Sequence, residues 1–207
     1  MFFKFNIFGI ILLLVSLFGV YTIYYSYKRR DEKLYYYFAF FAFFCCLNFI
    51  FQGLDILTTP FIVKSFFGQI CAVGYVFIVP AWFFLVYYFI YQKDASLKIK
   101  FIVSIIPIIC FIAAITNPWT HWFIFTVSWP PVNYPYQLQL YYTFNWGFRL
   151  ICIYNIVMLF IMIFMLSYKV FKSNKIYWDS YVLLIIANVV CLIITLLAYT
   201  PIYTGFS

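Results

Sequence analysis

Six stretches of this chain are each long and apolar enough to cross a bilayer, and they leave little else. They run approximately over residues 6–27, 34–54, 66–91, 99–117, 146–171 and 179–200. A helix needs about 20 mostly apolar residues to traverse the hydrocarbon region. No water is available there to bond a bare backbone, so each stretch must satisfy its own N–H and C=O groups, as a helix does. The sequence therefore predicts an all-α, polytopic integral membrane bundle of six transmembrane helices. It reads as a single helical domain over residues 1–207 and as a multi-pass protein of the cell membrane. Composition excludes the soluble alternative. Only 9% of the residues are charged and 68% are hydrophobic, whereas a soluble domain is about 25% charged. The first run has little positive charge before it and no small-residue cleavage site after it, so it reads as a retained helix.

The charges then orient the bundle. Lys28, Arg29, Arg30 and Lys33 lie in the first connection, Lys93, Lys98 and Lys100 in the third, and Lys169, Lys172 and Lys175 in the fifth. These are ten of the 13 basic residues. The opposite side has Lys4, Lys64 and Arg149. The positive-inside rule places the three basic connections in the cytoplasm and the N-terminus outside. With an even number of spans, the C-terminus is expected outside as well. The net charge of +8 is thus a topology signal beside lipid headgroups, and no nucleic-acid partner is expected.

The longest connection, residues 117–145, contrasts with the helices around it. It holds His121, the chain's only histidine, and Trp119, Trp122 and Trp129. It is broken by Pro118, Pro130, Pro131 and Pro135. Proline removes a backbone donor and favours turns or extended chain. Tryptophan settles where its ring meets lipid and its N–H meets water. The segment is expected to lie across the outer mouth of the bundle with Trp119 and Trp129 at the interface. It is either a simple interfacial anchor or a lid over a cavity.

The spans contain no nucleophile elbow, zinc-binding helix motif, phosphate loop or paired carboxylates. One histidine cannot supply two axial imidazoles to a haem. The six cysteines all lie in apolar runs without a metal or disulfide spacing, and read as small hydrophobes. No enzyme activity, cofactor or metal is expected. Polar groups at membrane depth are more informative. Arg149 opens the fifth span, four residues after Asn145. Asp55 closes the second span on the same side, so an Arg149–Asp55 pair is expected to offset the cost of both charges. Lys64 is expected to flank its helix and snorkel to the interface. Asn48, Asn155 and Asn188 are expected to hydrogen-bond between helices. Pro80 and Pro107 are expected to kink the third and fourth spans. The candidate ligand-binding set at the outer mouth is Asn117, His121, Trp122, Arg149 and Asp55.

Several segments together carry a resemblance: the basic turn YKRRDEK, the run IVPAWFFLVYYFIYQKD, the block IIPIICFIAAITNPWTHWF and the terminal YTPIYTGFS. Most specific is the block from Ile106 and Pro107 to His121. The pattern resembles the N-terminal seven-transmembrane region of bacterial and archaeal sensor histidine kinases. The resemblance implies a signal-sensing membrane bundle. In that family a seventh span follows the Thr-Pro element and leads to cytoplasmic signalling domains. This sequence closes at Ser207, so kinase activity does not carry over, and the resemblance supplies no ligand.

The expected function is a receptor-like sensing module without its own catalytic output. Its expected partners are membrane lipid, a membrane or signalling protein that carries the output, and a small molecule at the outer face. The alternative is an accessory subunit of a larger membrane complex. A small transporter is a weaker alternative, because internal repeats and intramembrane ionisable groups are scarce.

Overall fold

Apolar side chains surround the long helices on nearly every face, which is the pattern of helices dissolved in lipid rather than packed on one core. The computed structural model describes residues 5–29, 31–128, 141–172 and 178–203. Its elements in order are α1 (Ile7–Lys28), α2 (Lys33–Leu57), α3 (Phe61–Tyr91), α4 (Leu97–Ile115), the single turn α5 (Asn117–Thr120), β1 (Ile124–Ser128), β2 (Tyr141–Phe144), α6 (Trp146–Lys172) and α7 (Trp178–Tyr203). Six of these helices are long and apolar enough to span a membrane, as expected. Among the described residues, the one strand pairing is the antiparallel β1–β2 pair in the long connection.

Local chemistry sets several helix ends. Asn6 caps α1, its Oδ1 accepting from the N–H groups of Phe8 at 2.8 Å and Gly9 at 3.4 Å. Ser96 caps α4 through the N–H of Ile99. The third span begins earlier than the hydropathy suggests, at Phe61 directly after Pro60. Pro80 and Pro107 both lie within continuous helices and are buried.

The helices associate in two groups that share α3. In one, α2 packs against α1 and α3; in the other, α6 packs against α3, α4 and α7. Lipid tails are as apolar as leucine, so helix contact depends on close packing and hydrogen bonds rather than on expelling water. The α1–α2 crossing shows this. A Cβ at Gly53 would stand 3.0 Å from the Gly9 carbonyl oxygen, so the two backbones touch only because neither residue has a side chain. Asn48 Nδ2 donates to the Cys71 carbonyl at 3.1 Å and ties α2 to α3. Trp82 Nε1 donates to Asn188 Oδ1 at 3.0 Å and ties α3 to α7. Both asparagines thus bond between helices, as expected. Asn155 is only 1% exposed and sits beside Tyr75 of α3. Val76, Cys110, Ala113, Ile151, Leu159 and Met162 belong to the fully enclosed part of the core.

These contacts make neighbouring helices alternate in direction. The α1–α2 turn, the α3–α4 connection and the adjoining ends of α6 and α7 therefore share one end of the bundle. Lys28, Arg29, Lys33, Lys93, Lys98, Lys100, Lys169 and Lys172 gather there, and the β hairpin is at the other end.

Candidate functional site

The long connection between α4 and α6 is built around Asn117. This residue opens α5 and is 4% exposed. Its Oδ1 accepts from the N–H groups of Phe123 at 2.9 Å and Ile124 at 2.7 Å, both themselves buried. Those two donors lead into β1 at Ile124, so one side-chain oxygen joins the end of α4 to the hairpin. His121 turns the chain with φ 53° at the end of α5, a left-handed conformation that histidine adopts more readily than most residues. The return strand is fastened beside it. Asn145 Nδ2 donates to the His121 carbonyl at 2.8 Å, and its own N–H donates to the Phe123 carbonyl at 3.0 Å. The Gly147 N–H donates to the Trp122 carbonyl at 3.0 Å. A Cβ on Gly147 would stand 3.0 Å from that oxygen and 3.2 Å from the Ala113 Cβ, so the close approach requires glycine.

The described part of this cap therefore lies on the bundle. Phe123, 1% exposed, packs edge-on to Phe148 of α6. Phe144 stacks on the same ring at 3.8 Å. The residues proposed from sequence divide into two groups. Asn117 is buried and committed to backbone donors. His121, Trp119 and Trp122 are exposed, with the Trp122 ring 5.8 Å from that of Trp146. Arg149 is exposed in the first turn of α6. Trp129 lies outside the described residues.

Asp55 does not join Arg149, which corrects the expected pair. Lys64 Nζ lies 3.5 Å from Asp55 Oδ1 and also donates to the Asp55 backbone carbonyl. Lys64 is 1% exposed and Asp55 7%, so the expected snorkelling of Lys64 is corrected too. The physical reason is the tight α2–α3 turn. It sets the two residues face to face, whereas Arg149 belongs to the other helix group. A charge at membrane depth requires such a partner. The Thr58 hydroxyl is buried in the same turn without a hydrogen-bond partner among the described residues.

A second candidate site lies at the basic end. A cavity of about 560 Å³ opens between α1 and α2 on one side and α3 and α7 on the other. Its volume is within the range of small-molecule pockets, about 300–1,000 Å³. Trp82, Leu85, Val86 and Phe89 line one wall, and Tyr21, Tyr25, Tyr35 and Phe38 face them from α1 and α2. Leu183 and Leu184 contribute from α7. The floor is tied down by Trp82, which bonds Asn188 and packs 4.9 Å from Phe41. The rim is charged. Arg29 Nη1 donates to the Tyr35 hydroxyl at 3.1 Å, and its guanidinium stacks on the Tyr25 ring at 4.8 Å. Nearby, Lys33 Nζ meets Asp94 at 2.6 Å, and the Tyr37 hydroxyl donates to the same carboxylate at 3.0 Å. These two hydrogen bonds, Lys33's the larger, hold the Asp94 carboxyl below its usual range. This clasp joins the α1–α2 turn to the α3–α4 connection. The cleft could not be read from sequence, because its walls come from helices far apart in the chain.

The fold defines a multi-pass membrane protein whose helix bundle has a structured cap at one end and a basic face at the other. Residues 11–206 match the family model described as the N-terminal 7TM region of histidine kinase. The chain belongs to that family, and is a membrane sensor module by its class. No curated protein and no solved structure matches it significantly.

Proposed function

We propose that the chain is the receptive part of a signalling system in the cell membrane, a single domain in which a stimulus shifts the two helix groups against each other about α3. The observation that carries this reading is the cleft. The α1–α2 pair packs on α3 through α2, and α7 meets α3 through Trp82–Asn188 and Phe89–Tyr181, with an apolar space left between them. A space of this kind lets two helix arrangements exist, and a stimulus acts by favouring one of them. The asymmetry of the ends supports the direction of signalling. At the outer end, a small molecule or partner meets the exposed His121, Trp119 and Trp122, with Arg149 following on α6. Asn117 acts beneath them as a positioning residue, while Asp55 stays with Lys64 in the α2–α3 turn. At the basic end, a partner protein receives the movement through short cytoplasmic turns.

The test is a distance measurement across the cleft. Spin labels at Glu32→Cys and Asp179→Cys, in a background with the native cysteines changed to alanine, report on its two walls. In bilayers of different hydrocarbon thickness the expected result is two distances whose proportions change, because thickness biases helix tilt. One unchanged distance in every bilayer would favour the accessory-subunit reading.

A further inference from the structure

We propose that the cleft at the basic end is a binding site for one acyl chain of an anionic phospholipid, with Arg29 holding the headgroup phosphate. The depth selects the occupant. On α3 the lining runs from Trp82 to Phe89, which is about 10 Å along a helix at about 1.5 Å per residue. That distance lies within one leaflet, since the whole hydrocarbon core is about 30 Å thick. A spanning helix would need a groove along its full length. Here the floor is closed by Trp82, fixed between Phe41 and Asn188. An acyl chain entering from the leaflet at the basic end ends where the cleft ends.

The rim selects the charge. Arg29 is held by two cavity-lining residues, through its bond to the Tyr35 hydroxyl and its stacking on Tyr25. This leaves further guanidinium donors for a phosphate, which arginine engages through its planar fork. The other described cations beside it are placed differently. Lys33 is committed to Asp94. Lys28 lies over the ring of Tyr24, which does not line the cleft. Ser26, Tyr25, Tyr35 and Ser180 bring hydroxyl-bearing side chains to the half of the lining nearest the headgroups. An apolar interior with a few oriented polar groups and, among the described residues, Arg29 free to turn its remaining donors to the mouth matches an amphiphile with a negative head.

Occupancy by a lipid deepens the sensory reading by naming what fills the moving seam. It rests on that reading only for its consequence, because a lipid can sit there whether or not a signal passes. The test therefore reads occupancy and not movement. The full-length chain is placed in phosphatidylcholine bilayers containing a trace of phosphatidylglycerol or phosphatidylcholine with a photoreactive diazirine in the acyl chain. Labelled peptides are mapped after irradiation. Labelling of 82–89 and 180–184 should favour phosphatidylglycerol about fivefold, the effect of one basic side chain on an anionic lipid. Arg29→Gln should remove that preference, while Lys28→Gln should leave most of it. The lipid-facing surface of α1 over Phe8–Leu17 serves as the internal control, and should be labelled alike by both lipids in all variants. Equal labelling of the cleft by both lipids would overturn the proposal. So would an equal loss in the Lys28 and Arg29 variants, which would indicate diffuse charge. Absence of cleft labelling by either lipid would show that no acyl chain enters the space, and would also overturn it.

Discussion

Lys64→Met should destabilise the bundle by about 3–5 kcal/mol, the usual result of leaving one member of a buried ion pair without its partner. Lys64 is almost completely enclosed and its ammonium is shared between the Asp55 carboxylate and the Asp55 carbonyl. Removing it leaves Asp55 at membrane depth with no cation paired to it among the described residues. The double variant Asp55→Asn with Lys64→Met has no charge to bury and should recover most of the loss. Unfolding of purified protein in mixed micelles, followed by circular dichroism, measures both. Equal losses in the single and double variants would show that the two side chains act independently. Arg149→Met should not reproduce the Lys64 effect, since Arg149 is exposed and belongs to the other helix group.

The second large effect is expected at Asn117. Asn117→Ala removes the acceptor of two buried N–H groups at once, those of Phe123 and Ile124. Each unsatisfied buried donor costs about 1–3 kcal/mol, so the loss is expected at about 2–6 kcal/mol. Asn117→Asp retains an oxygen acceptor and should lose much less. The cap should loosen with the alanine variant, so a protease acting on the outer loop should cut it faster than the parent while the helices remain inserted. If alanine and aspartate behave alike, Asn117 does not hold the hairpin through these bonds.

Much of the bundle was visible in the sequence because bilayer thickness selects for long apolar runs, and their ends need only be found within a few residues. The basic turns were equally visible, since their charge has no place inside lipid. Asn48 and Asn188 were also readable as interhelical partners, because a buried amide in a membrane has few other uses. Lys64 was misplaced for a physical reason: the lysine itself interrupts the apolar run, which moved the expected start of the helix from Phe61 to residue 66. Once α3 begins at Phe61, Lys64 falls inside its first turns and opposite Asp55. The β pair was overlooked although IFTVS and YYTF are rich in β-branched and aromatic residues, because the tryptophans and prolines around them gave a membrane interface as a sufficient explanation. Asn117 carried a legible signal of importance but not of role. Its position before Pro118 marks a turn, and only the folded chain shows that its oxygen faces the N–H groups of Phe123 and Ile124. The cleft depends on how the α1–α2 pair stands relative to α7, and no local pattern encodes that distance.

The central claim is directional: an outer cap receives and a basic cytoplasmic face transmits. Single cysteines at Trp119 in the cap and Asp31 in the first basic turn, introduced with the native cysteines changed to alanine, test it in intact cells. A membrane-impermeant maleimide should label Trp119→Cys from outside. It should label Asp31→Cys only after the membrane is permeabilised. Labelling of Asp31→Cys in intact cells, with Trp119→Cys protected until permeabilisation, would invert the bundle and contradict the account.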